Sequence, residues 1–194
     1  MNSLRFVTDK DVVILKLNKE ELEEIKKYAN ARTESNRNAG NHINKIFMNS
    51  KGKDHSHSEI VGLCGEYAVA KYFNISVPNF VYDQKFFSEN KQNIKDVGNY
   101  EVKTTHYRTG RLIIQTKQMT EENLLTKYLF CIVNLNPTYD EATVKIVGWS
   151  NPMMMSEYGE LLESDKNTAW YMEQQFLYPI SNIKKQTYRK GDDL

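Results

Sequence analysis

The octapeptide YLFCIVNL, Tyr128–Leu135, is apolar at seven of its eight positions. A strand with one wet face alternates apolar and polar residues, so a run without alternation needs cover on both faces. That requirement fixes the outline of the fold: a sheet with this strand near its centre and other elements layered against it. ATVKIVGW, Ala142–Trp149, follows a turn containing Asn136-Pro137 and is the expected hairpin partner. NFVYDQKFF, the segment Tyr100–Tyr107 and RLIIQTK supply further period-two runs. With helical segments ahead of these strands, the fold class expected is α/β (α+β), a mixed central β-sheet flanked by helices. A chain of 194 residues is long enough to bury one good core. It divides on sequence into an N-terminal strand, helix and polar loop over residues 1–57 and a core over residues 58–194.

The helical segments differ in character. In DVVILKLNKEELEEIKKYA a short apolar strand gives way to a helix at Asn18, where Asn18 and Glu21 have the spacing of a capping box. The polar stretch that follows, to residue 57, reads as a loop around one apolar patch, Ile43–Met48. SEIVGLCGEYAVAKYF, Ser58–Phe73, is the clearest helix in the chain. On it Glu66 is flanked at the i±3 and i±4 positions by Gly62, Leu63, Val69 and Ala70, all apolar or small. Lys71 and Asn74 mark the wet side. Glu66 therefore points toward the sheet, with Gly62 and Ala70 expected to let the helix lie close to it. A carboxylate in that position is costly unless a cation or hydrogen-bond donors meet it.

The sheet carries candidates of its own. Alternation over Tyr100–Tyr107 puts Glu101, Lys103 and Thr105 on one face and Tyr100, Val102, Thr104 and His106 on the other. Asp96 lies just upstream, across Val97-Gly98-Asn99, a segment with turn chemistry. A solvated strand face carries a Glu-x-Lys pair at little cost, so that pair alone decides nothing. Glu66 changes the balance, because three carboxylates directed to one place repel each other unless a divalent metal neutralises them. Oxygen ligands without a cysteine or histidine suit Mg²⁺ or Mn²⁺. A lysine beside such a metal suits phosphoryl chemistry, where its point charge meets a phosphate oxygen or orients the attacking water.

Asp96, then Glu101-Val102-Lys103, preceded by a helix bearing GLCGEYAVAKYF and followed by GRLIIQ, resembles the PD-(D/E)XK nuclease superfamily, and within it small phage-type members. The resemblance spans residues 58 to 183. It implies a restriction-endonuclease-like core and Mg²⁺-dependent cleavage of DNA, with Glu66, Asp96 and Glu101 as metal ligands and Lys103 assisting the nucleophile. Lys95 stands where the motif has proline, and the gap from Asp96 to Glu101 is short. The short gap requires a tight turn and keeps Asp83 as a second candidate behind Asp96.

Other residues lie around this group. Glu59 lies on the same helical face as Glu66 and is either an outer ligand or the capping-box partner of Ser56. Gln115 and Lys117 share a strand face and are auxiliary candidates. DHSH, Asp54–His57, is too short a tract for structural zinc, which needs a second ligand pair. No G-x-S-x-G elbow indicates a serine hydrolase, and no glycine-rich phosphate loop indicates a nucleotide enzyme. NPMMMSEYGELLE, with its methionine run, suits core filling or a partner. The formal charge is only +1, from 26 basic and 25 acidic residues, so a DNA substrate must be met by a local patch. Arg32, Arg37, Arg108, Arg111, Lys184, Lys185, Arg189 and Lys190 are its candidates. Two cysteines, Cys64 and Cys131, sit in apolar runs and give no disulfide framework. With no membrane-length apolar run and no secretory leader, the expected location is the cytoplasm, that of a host cell for a phage protein. A homo-oligomer fits the same reading. The rival function is a nuclease fold that no longer cuts and instead binds nucleic acid or a protein partner.

Overall fold

In the computed structural model the described residues are 6–38, 55–76, 95–163 and 168–183. They form β1 (Val13–Leu17), α1 (Lys19–Asn38), α2 (His55–Phe73), β2 (Tyr100–Thr105), β3 (Leu112–Gln115), β4 (Lys127–Leu135), β5 (Ala142–Ser150), α3 (Pro152–Tyr158), β6 (Glu160–Glu163) and β7 (Thr168–Met172). Five short 3₁₀ turns link them. The protein is a mixed α/β structure of the α+β kind.

The apolar octapeptide lies in β4, inside a four-stranded sheet of order β1-β5-β4-β2. β5 returns antiparallel to β4 as the expected hairpin, β1 adds antiparallel to β5, and β2 runs parallel to β4. Both faces of β4 are covered. Leu129, Cys131 and Val133 pack under the helices with Leu63, Cys64 and Phe73, whereas Tyr128, Phe130 and Ile132 pack on the other side with Leu112, Ile114 and Met172. Each such buried side chain contributes on the order of 1.5–3 kcal/mol over its exposed state.

The two faces are covered differently. Among the described residues α1 and α2 cover one face, and a second sheet of order β3-β7-β6, with α3, covers the other. The strand after Glu-x-Lys thus pairs with β7 and not with β2. Its alternation is the cause: Leu112 and Ile114 are buried while Ile113 and Gln115 are exposed, a half-wet pattern suited to an outer sheet. The methionine run forms α3, where Asn151 Oδ1 caps by accepting from the Met154 N–H at 2.8 Å. Met155 is fully buried there, which is core filling, and Met153 is exposed.

Residues ahead of α2 are built into the same core. Leu17, Leu22, Ile25 and Ala29 belong to the cluster under α2. The capping box at the start of α1 is formed, with the Asn18 N–H donating to Glu21 Oε2 at 2.9 Å and the Glu21 N–H donating to Asn18 Oδ1 at 2.9 Å. The helix does not stop where the sequence turns polar, since α1 runs on to Asn38 through residues read as loop. Leu22, Ile25 and Ala29 are buried at helical spacing on one face, and half-buried Arg32 carries that stripe into the residues read as loop. The strand expected over NFVYDQKFF lies outside the described residues. No described helix is long and apolar enough to cross a membrane.

Candidate active site

The short Asp96–Glu101 gap is closed by a two-residue turn. The Val97 N–H donates to the Tyr100 carbonyl at 3.0 Å and the Tyr100 N–H donates to the Val97 carbonyl at 2.9 Å, framing Gly98 and Asn99. Gly98 has φ 55°, the positive value that a type II′ turn demands at its first central position. The chain therefore doubles back, and Asp96 lies alongside β2. Its Oδ2 accepts from the Val102 N–H at 2.8 Å, satisfying a donor that faces away from the β4 ladder.

Strand alternation then separates the other acids. Tyr100 stacks on Phe73 of α2 with ring centroids 4.8 Å apart, and Thr104 Oγ1 donates to the Gly62 carbonyl at 3.5 Å. The even-numbered residues of β2 thus face α2, and Glu101 and Lys103 face the opposite side. There Lys103 Nζ stands 5.7 Å from the centre of the Tyr128 ring, on the β4 residue registered beside Glu101. Glu66 is on the α2 side and is buried, 6% exposed, as its apolar neighbours required. Asp96, alongside β2, lies within electrostatic reach of both Glu66 and Glu101. The three acids are linked through Asp96 at the end of the strand.

Helix α2 reaches this position through a glycine, though not the expected one. A Cβ on Gly62 would meet nothing within 4 Å, whereas a Cβ on Gly65 would lie 2.0 Å from Thr104 Oγ1. Gly65 sets the close approach that carries Glu66, its neighbour in sequence, to the sheet.

Cations surround the acids at a distance. Arg32 presents its guanidinium to Glu66 as a fork, Nη1 to Oε1 at 3.4 Å and Nη2 to Oε2 at 3.5 Å, and lies 3.6 Å from Glu59 Oε2. Lys95 Nζ is 3.6 Å from Glu101 Oε1 and Lys103 Nζ is 3.9 Å from Glu101 Oε2. Elsewhere the same protein closes its ion pairs tightly: Lys26–Glu23, Lys71–Glu21 and Arg111–Glu173 are each 2.7 Å. The cations of the site, at 3.4–3.9 Å, stand farther off from their carboxylates.

Charge and burial act together on these groups. Burial pushes the Glu66 carboxyl up to about 7, with Arg32 pulling against it and Asp96 and Glu59 adding to the rise. Glu101 is also raised, by burial first and by Asp96 second, against the pull of Lys103 and Lys95. Burial opposes the Arg32 charge, yet Glu66, Glu59 and Asp96 more than offset it and hold the guanidinium above its ordinary value. Burial, then Glu101 and Asp96, pushes the Tyr128 phenol up to about 12. The signature is that of carboxylates crowded in a partly dry place.

Glu59 belongs to this group through Arg32. Its role as a cap for Ser56 does not hold, because α2 begins at His55. Gln115 does not belong: it is exposed on the second sheet, and its N–H donates to Gln118 Oε1 at 3.3 Å. Lys117 follows it in a 3₁₀ turn. His106 keeps company with His57 at the start of α2, ring centroids 5.5 Å apart. Arg111 is paired with Glu173 and lies over the Tyr171 ring at 4.5 Å, while Arg108 is exposed. Asp83, Asp54 and the basic residues from Lys184 onward lie outside the described residues, as does the side chain of Arg37. Three contributors were not read from sequence in these places: Arg32, Lys95 and Tyr128. The helical spacing Leu22, Ile25, Ala29, Arg32 is the signal that finds the first.

Glu66, Asp96 and Glu101 offer only carboxylate oxygens, the donors a hard divalent cation takes, and the repulsion of Asp96 with each of the other two is what such an ion relieves. Among the described residues no group of three or more aspartate, glutamate, histidine or cysteine side chains is placed so that it could hold a metal ion. Set against protein-family models, curated proteins and solved structures, the chain has no significant match in any of the three.

Proposed function

We propose that this protein is a metal-dependent nuclease that hydrolyses phosphodiester bonds of DNA. One observation carries the reading: the cations around Glu66, Glu59 and Glu101 keep 3.4–3.9 Å away, whereas the other ion pairs among the described residues close to 2.7 Å. Space between opposite charges in a half-buried site suits a group that enters between them. Glu66, Asp96 and Glu101 would hold Mg²⁺ or Mn²⁺, which supplies Lewis-acid polarisation of a phosphoryl oxygen. Lys103 directs its ammonium at the reacting phosphate, where negative charge grows in the transition state. Tyr128 supports that ammonium from below through its ring face. Arg32, which reaches across from α1 and lies 3.6 Å from Glu59, holds Glu66 in place. The resemblance of Asp96…Glu101-Val102-Lys103 to the PD-(D/E)XK motif adds to this reading.

A second reading is favoured by the Arg32–Glu66 fork, since an arginine seated on a ligand carboxylate neutralises it without any metal. In that case the fold binds nucleic acid, or a protein, and does not cut. One experiment separates the two. The purified protein is incubated with linear, circular and single-stranded DNA and with RNA, in Mg²⁺, Mn²⁺ or EDTA. Cleavage of DNA that EDTA abolishes is expected. Binding without cleavage under every condition selects the second reading, and cleavage that ignores EDTA removes the first.

A further inference from the structure

Glu101 is approached by two ammonium groups, one on each oxygen: Lys95 on Oε1 at 3.6 Å and Lys103 on Oε2 at 3.9 Å. One carboxylate needs one cation, and two lysines directed at the same carboxylate repel each other. Lys95 is nevertheless held there deliberately by a neutral group. Its Nζ donates to Asn123 Oδ1 at 3.1 Å. Asn123 is itself fixed in the segment before β4: its Nδ2 donates to Thr120 Oγ1 at 3.1 Å, and its carbonyl accepts from the Thr126 N–H at 2.8 Å. A lysine kept only to neutralise Glu101 would close on it, as Lys71 does on Glu21 at 2.7 Å. Lys95 is instead suspended between an amide and a carboxylate with its side chain one-fifth exposed. Its backbone is equally fixed, because Asp96, the next residue, is fastened to Val102.

We propose that Lys95 is a second phosphate-directed lysine of this site, positioned by Asn123 to take a backbone phosphate of the nucleic acid alongside Lys103. The inference rests on the nuclease reading and deepens it. The charge balance supports it. With all four acids ionised, as ligation of a cation requires, Glu59, Glu66, Asp96 and Glu101 against Arg32, Lys95 and Lys103 leave one negative charge, so one bound divalent ion leaves one positive charge. A phosphodiester matches that remainder, and without Lys95 no positive charge would be left for it. The lysine stands where the resembled motif has proline, so the charge is a property of this chain and not of the pattern.

The test compares wild type, Lys95→Met, Lys95→Gln, Lys95→Arg and Asn123→Ala, each checked for a wild-type melting temperature so that at least one Lys95 variant is read in folded form. A fluorescently labelled DNA oligonucleotide is titrated in EDTA over a range of salt, Mn²⁺ is titrated by calorimetry, and cleavage is followed in Mg²⁺. Loss of the Lys95 charge is expected to weaken oligonucleotide binding several-fold and to lower the salt slope by about one phosphate contact. It should slow cleavage about 10- to 100-fold and leave Mn²⁺ affinity equal or tighter. Lys95→Arg should keep the binding and the salt slope, and Asn123→Ala should keep the salt slope but slow cleavage. Unchanged oligonucleotide binding, salt slope and cleavage in Lys95→Met and Lys95→Gln, with wild type active, overturns the inference alone. A wild type that neither binds nor cuts the oligonucleotide overturns the nuclease reading and this inference with it.

Discussion

The Asp96 carboxylate accepts a hydrogen bond from the Val102 N–H at 2.8 Å, which fastens the acid to the strand that carries Glu101 and Lys103. The bond explains how a five-residue separation can still gather acids on both faces of β2. It also makes Asp96→Asn an informative change. The amide oxygen can accept from Val102 as the carboxylate does, so the turn and β2 should survive with a loss below about 1 kcal/mol. One negative oxygen donor is gone, and Mn²⁺ affinity should fall at least tenfold by calorimetry. Unchanged affinity would move the ligand role to another acid, with Asp83 first in line.

Glu66 should make stability depend on pH. Burial raises its folded value to about 7, against about 4.3 for a free glutamate. The native state therefore keeps its proton longer than the unfolded chain does. The resulting stability is full below about pH 4 and is lost as pH climbs through 7, at up to about 1.4 kcal/mol per pH unit in between. Urea unfolding at pH 5 and pH 7.5 should show wild type less stable at the higher pH, and Glu66→Gln should flatten that difference. An equal pH slope in both proteins would place the titrating group elsewhere.

Arg32→Met tests the same carboxylate from the other side. Without the guanidinium fork Glu66 is buried with Asp96 and Glu59 near and no cation on it. Breaking a fully buried pair costs roughly 3–5 kcal/mol, and this one should cost less because its contacts are long and Arg32 is a quarter exposed. The loss should be larger at pH 8 than at pH 5, where Glu66 takes up a proton, and Arg32→Met combined with Glu66→Gln should recover most of it. A loss independent of pH would mean that Arg32 matters for packing alone.

The approach of α2 to the sheet gives a prediction free of electrostatics. A Cβ at position 65 would lie 2.0 Å from Thr104 Oγ1, and α2 would have to shift. Gly65→Ala should destabilise by about 1–3 kcal/mol despite its better helix propensity. Gly62→Ala, with open space around it, should be neutral or stabilising by up to about 1 kcal/mol. In the pair Gly65→Ala, Thr104→Ala the cost should shrink. A strictly additive double mutant, measured by urea unfolding, would show that the two residues do not press on each other.

Much of this was legible along the chain, for identifiable reasons. The unalternating run in β4 announced a strand covered on both faces, and the apolar setting of Glu66 announced a buried acid. Both follow from local pattern, which a sequence displays directly. The identity of the covering layer was not legible. RLIIQTK reads as a strand, but nothing local says that Leu112–Gln115 pairs with Thr168–Met172 and leaves the central sheet. Arg32 was hidden by its polar neighbours, since α1 continues through a stretch that reads as loop and only the i+3 stripe from Leu22 carries the signal. Lys95 stands along the chain only as a lysine in the place of the motif's proline. Its meaning depends on Asn123, 28 residues away, and partners at that distance are set by tertiary packing.

Lys103 carries the last prediction, because it separates chemistry from folding. A structural role would require Lys103 to be the partner of buried Glu66. The partner there is Arg32, and Lys103 lies on the opposite face of β2. Its own contacts are loose, 3.9 Å to Glu101 and 5.7 Å to the centre of the Tyr128 ring, with the side chain one-third exposed. Removing it should therefore cost little stability, less than about 1 kcal/mol, since Lys95 still faces Glu101. Its removal should leave Mn²⁺ binding nearly intact for the same reason. Cleavage should slow by something like 10²–10³, the loss that follows when one electrostatic group is withdrawn from a charged transition state. Lys103→Arg should recover only part of the rate, because a planar fork does not occupy the place of a compact ammonium over the Tyr128 ring. The measurements are melting temperature, Mn²⁺ calorimetry and single-turnover cleavage on the same preparations. A large drop in melting temperature with cleavage per folded molecule unchanged would assign Lys103 to packing and take the catalytic role away from it.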